Sequence, residues 1–138
     1  MLSNLSKSNR GFVFEIPVYV DRLMKSGDEH AFLTIEIAHS KDFVQLTASA
    51  ESAQLDFPMV TSDQRKYERK VKDFAAAEGL TIVENYGSDG SLFLDIEVEG
   101  TSQKVAAICS KMLRGVFGVS GSTDLIFQHV RLALDTAA

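Results

Sequence analysis

The side chains best suited to bind metal or to act as nucleophiles are few and dispersed in this sequence. The histidines are His30, His39 and His129, and the single cysteine is Cys109. No two histidines have the HxH or HxxxH spacing that directs two ring nitrogens at one ion, and one thiol cannot form a cysteine zinc cluster. We therefore expect no metal, no cofactor and no enzymatic activity.

Cys109 lies within an apolar stripe at helical spacing, beside Ile108 and Met112. A reactive thiol is normally found where a helix N-terminus or a neighbouring cation lowers its pKa. Cys109 has a mid-helix position instead, and free cysteine is among the most buried residue types. We expect a buried and unreactive thiol.

Carboxylates alternate along one expected strand, at Asp95, Glu97 and Glu99, and Glu36 is expected on the same sheet face. Paired carboxylates can transfer protons or bind calcium. The spacing here is that of a solvent-facing strand, and no glycine-containing ligand loop accompanies it. We expect these residues to supply surface charge that discourages pairing at a sheet edge.

The segment Arg65–Lys72 has five basic residues and one acid, a composition that nucleic-acid-binding helices share. However, Glu68 is placed to pair with Lys72, and Arg69 with Asp73, at the i,i+4 spacing of ion pairs on a helix surface. The chain has 14 Lys and Arg against 19 Asp and Glu, a net charge of -5 and a pI near 5.1. These values favour a solvated helix face and argue against a nucleic-acid or membrane partner.

Length and composition indicate one domain with a sizeable core. The chain has 138 residues, 45% hydrophobic and 24% charged, close to the average for globular proteins. Its apolar runs are far shorter than the ~20 residues needed to cross a bilayer, and we expect a cytoplasmic location. The first ten residues are rich in Ser and Asn and aperiodic, so we expect a flexible arm over residues 1–10 and a single α+β domain over residues 11–138.

Four segments alternate apolar and polar residues with the period of a strand that has one buried face. A fifth, Leu80–Tyr86, is expected as the first arm of a hairpin, with the facing of Ile82 and Val83 left open. Pro58 lies in the third segment and cannot donate a ladder hydrogen bond, so we expect that strand to lie at a sheet edge or to end early. Gly87–Gly90 resembles a phosphate loop but has no lysine and no following helix, and we interpret it as a hairpin turn. The expected strands are Ala31–Ile37, Phe43–Ala48, Gln54–Met59, Leu80–Tyr86 and Ser91–Val98.

Three segments place apolar residues at the period of a helix. Thr61 and Gln64 have the spacing of a capping box, and Gly79 and Gly118 are placed to end helices. The expected helices are Pro17–Ser26, Ser62–Glu78 and Ser102–Phe117.

The segment Asp124–Leu134 fits either period. Ile126, His129 and Val130 have helical spacing, whereas Ile126, Gln128 and Val130 alternate as in a strand. We favour a helix, because the tail contains alanine and no partner strand follows it. The resulting order is α-β-β-β-α-β-β-α, an α+β fold with an antiparallel sheet of about five strands and helices packed on one face.

Four pieces of this sequence carry a resemblance to a known family. They are the strands Phe32–Glu36 and Phe43–Leu46, the segment Thr61–Gln64 opening a helix that ends at Gly79, and Lys111–Val119 with its Val-Phe-Gly-Val ending, followed by Asp124-Leu125. With the element order, they resemble the type III secretion chaperone fold and its YbjN-like relatives, which are described as sensory transduction regulators.

The resemblance implies a small, acidic, usually dimeric protein that binds extended segments of client proteins, and it supplies no catalytic residues. The basic run at Arg65–Lys72 departs from a simple acidic chaperone. An alternative of another class is a sensory or regulatory domain that binds a small ligand. A deep apolar pocket with converging polar groups would favour the ligand, and an exposed apolar sheet face would favour a protein partner.

The alternation places Phe32, Phe43 and Phe93 on the sheet face away from the helices. Phenylalanines from three strands can gather into one apolar patch. We expect this patch to bind a partner protein or a second copy of the chain, unless the N-terminal arm or Asp124–Leu134 covers it.

Overall fold

The computed structural model describes residues 6–133, and Met1–Leu5 of the expected arm lie outside that range. Within it, the chain forms one antiparallel sheet with helices on one face, so the α+β class is confirmed. A short 3-10 turn, Val13–Glu15, precedes the first helix. The strands are β1 (Lys7–Gly11), β2 (Phe32–Ile37), β3 (Phe43–Ala48), β4 (Ser52–Met59), β5 (Ile82–Tyr86), β6 (Leu92–Glu99) and β7 (Leu125–Val130); the helices are α1 (Ile16–Lys25), α2 (Ser62–Arg65), α3 (Glu68–Ala77) and α4 (Ser102–Phe117).

The sheet has seven strands in the order β1-β7-β2-β3-β4-β6-β5, and the expectation of about five was wrong. The two additional strands come from segments expected to be something else. Lys7–Gly11 overlaps the expected flexible arm and forms the edge strand β1, paired with β7. An aperiodic polar sequence can form such a strand because its backbone, not its side chains, supplies the ladder hydrogen bonds.

The segment expected as a final helix is the strand β7, and that expectation was wrong. β7 lies inside the sheet, between β1 and β2, and pairs with both. The argument from a missing partner strand failed because both partners come from early in the chain. The segment forms a strand and not a helix because a strand places both Leu125 and Phe127 in the core.

Strand β4 is internal, between β3 and β6, so the edge position, one of the two outcomes expected from Pro58, was wrong. The carbonyl of Ser52 accepts the Ser49 N–H on the β3 side. Backbone groups of alternate residues point the same way, so the nitrogen of Pro58 also faces β3. The β3–β4 pairing ends at Gln45 and Asp56, before Pro58, so its missing N–H leaves no gap in that ladder.

Helices α1, α3 and α4 cover the inner face of the sheet, and their buried side chains form one core with the inner strand positions. Leu94 and Ile96 are buried, together with Val105 and Met112 of α4, while Leu92 is partly buried. The expected helix Ser62–Glu78 is interrupted after its first turn, which gives α2 and α3.

The end signals of these helices are confirmed. The hydroxyl of Thr61 accepts the Gln64 N–H at 3.1 Å, and the Gln64 side chain accepts the Thr61 N–H at 3.1 Å, which is a capping box. Gly118 ends α4 with φ of 73°, a left-handed conformation that favours glycine.

Candidate functional site

The outer face of the sheet, the face away from the helices, carries the candidate site. Its register aligns side chains in rows that run across the strands. The central row, which we call the polar row, crosses all seven strands through directly paired residues. Its members are Ser8, Gln128, Thr34, Gln45, Asp56, Asp95 and Val83.

The three expected binding residues all lie on this outer face, and each is half-buried. Phe93 pairs with Pro58, and Phe43 and Pro58 line the same narrow cleft, so Phe43, Pro58 and Phe93 form one apolar row. Phe32 pairs with Val130 on the opposite side of the polar row. Its Cα lies about 13 Å along the strands from the row of Phe43. The structure thus groups two phenylalanines and separates the third.

No described segment crosses the outer face. The two segments named as the alternative cover, residues 1–10 and Asp124–Leu134, contribute β1 and β7, which widen the sheet. The described helices contribute their buried residues to the inner core. The outer face between β7 and β5 is therefore open to a partner, as far as residues 6–133 show.

Asp56 and Asp95 lie directly opposite each other in the polar row, on β4 and β6. The expectation that Asp95 is a solvated surface charge was wrong, because the side chain of Asp95 is only 8% exposed. Asn85 of β5 donates its side-chain amide to Asp95 Oδ2. Asp95 Oδ1 is buried without a hydrogen-bond donor.

Burial, together with the hydrogen bond and the negative charge of Asp95, raises the pKa of Asp56 to about 7. Two carboxylates at adjacent strand positions hold one proton between them more readily than two negative charges. In the protonated state, Asp56 can donate to the Asp95 oxygen that otherwise has no donor. The pair therefore exchanges one proton near neutral pH.

A shallow depression surrounds this pair, which we call the carboxylate depression. Amide and hydroxyl side chains and one aromatic ring form its walls. Neither Lys nor Arg lines it among the described residues. The lining residues are Gln45, Thr47, Gln54, Asp56, Asn85, Phe93 and Asp95.

A second, narrower cleft opens where β3 and β4 separate. Tyr67 donates its hydroxyl to Asp42 Oδ2 at 2.9 Å, and its ring meets Phe117 edge-on with centroids 4.7 Å apart. Burial and the Asp42 carboxylate raise the pKa of Tyr67. The interior volume is about 20 Å³, room for one water molecule, so this is not the deep pocket that a small ligand needs.

The histidines are dispersed: His30 and His39 lie in turns, and His129 lies on β7. His30 and His39 are exposed. His129 bonds to Asn9 Oδ1 at 2.8 Å, and burial, with the charges of Lys7 and Arg22, lowers its pKa. Across residues 6–133, no group of three His, Cys, Asp or Glu side chains is arranged to hold a metal ion.

Cys109 is buried, as expected, and desolvation raises its pKa to about 12. The basic run has the expected ion pairs: Lys72 Nζ lies 2.8 Å from Glu68 and 3.6 Å from Glu84, and Arg69 lies 3.8 Å from Asp73. Two of the five basic residues in this run, Arg69 and Lys72, thus have acidic partners on the helix surface.

Sequence reasoning missed two features. The alternation of β4 does place Asp56 on the outer face. However, α2, α3 and β5 lie between β4 and β6 in the sequence, so no local pattern predicts that Asp56 pairs with Asp95. The second feature is Phe14, which lies in the 3-10 turn and is 75% exposed.

Comparison with known proteins adds no relative. The chain matches no family model, no curated protein and no solved structure. No helix within residues 6–133 is long and apolar enough to cross a bilayer. The resemblance to secretion chaperones stands on the quoted motifs alone.

Proposed function

We propose that this chain is a non-enzymatic protein-interaction module that binds a segment of a partner protein on the outer face of its sheet. This is the role that the resemblance to type III secretion chaperone-like and YbjN-like proteins implies, and the cytoplasm is its proposed location. One observation carries the proposal. The outer face, open over the described chain, combines an apolar row at Phe43, Pro58 and Phe93 with a buried carboxylate, Asp95.

A solvated sheet face normally presents polar side chains to water. Single exposed apolar residues are common and need no explanation. Here, apolar side chains flank the polar row on both sides: Phe43, Pro58 and Phe93 on one, and Phe32 and Val130 on the other. A face with this arrangement suits a partner that offers both apolar and polar groups.

The energetics favour an extended partner. Burying one phenylalanine contributes about 1.5–3 kcal/mol, and association costs about 4–15 kcal/mol. Because Phe32 lies apart from Phe43 and Phe93, a partner must cross several strands to bury all three. An extended protein segment or a second sheet does so. Nucleic acid is the wrong partner, because Glu36, Asp95 and Glu97 give this face negative charge.

Site-specific photo-crosslinking tests the proposal. We would place p-benzoylphenylalanine at Thr47 or Gln54, exposed on the outer face, and at Ala76 or Ala107, exposed on α3 and α4. In extract of the source cell, we expect discrete protein crosslinks from the outer-face positions only, weakened by Phe93→Asp. Equal crosslinks from the helix positions, or none from the outer face, would contradict the proposal.

Self-association is the second form of the same proposal. Light scattering coupled to size exclusion measures it directly. We expect a dimer that Phe93→Asp or Phe32→Asp weakens while the circular dichroism spectrum is kept. A monomer at every concentration removes the homodimer and leaves the partner segment.

A small-ligand sensory or regulatory domain is the alternative function. The carboxylate depression favours it, because amide side chains converge there with the carboxylates of Asp56 and Asp95. Mass spectrometry of the molecules that co-purify with the protein under native conditions distinguishes the two functions. A stoichiometric small molecule supports the ligand, and a stoichiometric protein supports the interaction module.

A further inference from the structure

We infer that the carboxylate depression is the receptor for an arginine side chain of the partner protein. This inference rests on the proposed function and names the chemistry of its partner. Three observations on the described residues carry it: an incompletely satisfied buried carboxylate, a second carboxylate beside it, and an aromatic ring in the same depression.

The buried carboxylate is Asp95, the only charged residue with a buried side chain in residues 6–133. Asn85 satisfies its Oδ2 atom, and its Oδ1 atom has no donor. Buried polar atoms normally have a hydrogen-bond partner. Protonated Asp56 can fill this role, but once Asp56 has lost its proton no described group donates to Asp95 Oδ1, and a donor from outside the described chain is then the missing part of this site.

The chemistry of the depression selects a guanidinium. Guanidinium presents several N–H donors in a planar fork that matches carboxylates, and its faces stack on aromatic rings. Asp56 and Asp95 offer carboxylate oxygens at adjacent strand positions, and Phe93 offers the ring. A divalent metal ion needs more hard oxygen ligands than these two carboxylates, and no third acidic or histidine ligand is arranged with them in residues 6–133.

The surroundings of the depression point to a protein as the source of the guanidinium. Phe93 belongs both to the depression and to the apolar row with Pro58 and Phe43. A partner segment that places an arginine over Asp56 and Asp95 therefore extends its neighbouring side chains over this row. The fitting sequence has an arginine flanked by apolar residues.

Binding of the cation competes with the proton of the pair. Asp56 of β4 faces Gln45 of β3 and Asp95 of β6, with Glu97 next along β6, and the β5 positions on this face, Val83 and Asn85, are uncharged. The charged neighbours of Asp56 are thus all acidic, and they favour its protonated state. The guanidinium binds the deprotonated pair, so its affinity rises with pH.

The test is a nuclear magnetic resonance titration of the full chain with a capped phenylalanyl-arginyl-phenylalanine amide. The matched control peptide has citrulline, which has the shape of arginine without its charge. At pH 8.5 we expect single-site shifts of the Asp56 and Asp95 amides with the arginine peptide and none with citrulline. With a pKa of about 7 for Asp56, affinity at pH 5.5 falls by about thirtyfold.

Variants distinguish binding of the peptide at this site from nonspecific electrostatic attraction between the peptide and an acidic protein. Asp95→Asn and Asp56→Asn should each weaken binding at least tenfold, since each removes one carboxylate. Glu99→Gln removes the same charge from an exposed position on the same face of β6 and should change binding less than twofold. An equal loss in Glu99→Gln, or equal shifts with citrulline, overturns the inference.

Two further arms test the source of the cation. Arginine methyl ester binding as tightly as the tripeptide, or calcium chloride producing the same shifts, overturns the assignment to a protein side chain. Failure of the peptide, with crosslinks from Thr47 and Gln54 retained, overturns the arginine receptor and leaves the interaction module standing.

Discussion

The ring of Tyr19 stacks on the ring of Phe127, with centroids 4.2 Å apart and planes 9° from parallel. Tyr19 belongs to α1 and Phe127 to β7, so the stack joins the first helix to the last described strand. Phe127 is fully buried, and β7 holds β1 and β2 together. We therefore expect this contact to stabilise the sheet.

Phe127→Ala should lower the free energy of unfolding by about 3–5 kcal/mol, because it empties a packed aromatic site in the core. Urea denaturation measures the change. Phe14→Ala is the matched control: Phe14 is exposed, and its loss should change stability by less than about 0.5 kcal/mol. Similar changes in the two variants would refute the role given to the stack.

Leu94→Ala should destabilise the chain by about 2–5 kcal/mol, since Leu94 is fully buried opposite Phe57. Thermal denaturation followed by circular dichroism checks this. Glu97→Ala, at an exposed position of the same strand, serves as the control. An unchanged melting temperature in Leu94→Ala would mean that β6 does not pack as described.

Asp56→Asn should stabilise the protein above neutral pH. The folded state raises the pKa of Asp56 from 3.8 to about 7, so it binds this proton more tightly than the unfolded chain does. The stabilising contribution is complete below about pH 4 and is lost as the pH rises through about 7. Asparagine needs no proton to donate to Asp95 Oδ1, so the variant keeps that hydrogen bond at high pH.

We expect Asp56→Asn to raise Tm at pH 8 by about 3–6 °C, which corresponds to roughly 1 kcal/mol in a domain of this size. The gain should decline on acidification and vanish near pH 4. Glu99→Gln should show no such trend. A pH-independent difference between Asp56→Asn and the wild type would show that the pair does not share a proton.

The thiol of Cys109 should not react in the folded protein. It is fully buried in α4, and its pKa of about 12 leaves almost no thiolate at pH 8. Ellman's reagent should give less than about one tenth of the stoichiometric signal within an hour, and the full signal in guanidinium chloride. Prompt reaction of the folded chain would contradict this burial.

Local patterns predicted much of the fold because they depend on local physics. The alternation of Leu92, Leu94 and Ile96 with acidic residues reflects the two faces of β6, and Thr61 with Gln64 gave a capping box that the structure contains. These features involve residues a few positions apart. Neighbours along the chain decide them, and the sequence shows those neighbours directly.

Pairing between distant segments could not be predicted in the same way. Ile126 and Val130 fit both periods, and only the presence of β1 and β2 on either side of them selects the strand. Likewise, the alternation of β6 alone predicted that Asp95 is solvated. Its burial comes from Asp56 and Asn85, which lie on two other strands, so the sequence of β6 does not reveal it. The pairing register between strands decides whether such positions are buried, and the sequence of one strand does not determine that register.

The interior position of β7 has a consequence for how the molecule folds. The hairpins β2–β3, β3–β4 and β5–β6 bring together residues close in sequence, whereas β7 must find β1 and β2 across most of the described chain. Such high contact order slows folding. Until Leu125–Val130 inserts, β2 exposes a row of free N–H and C=O groups, an open edge on which nascent chains can join to one another and aggregate.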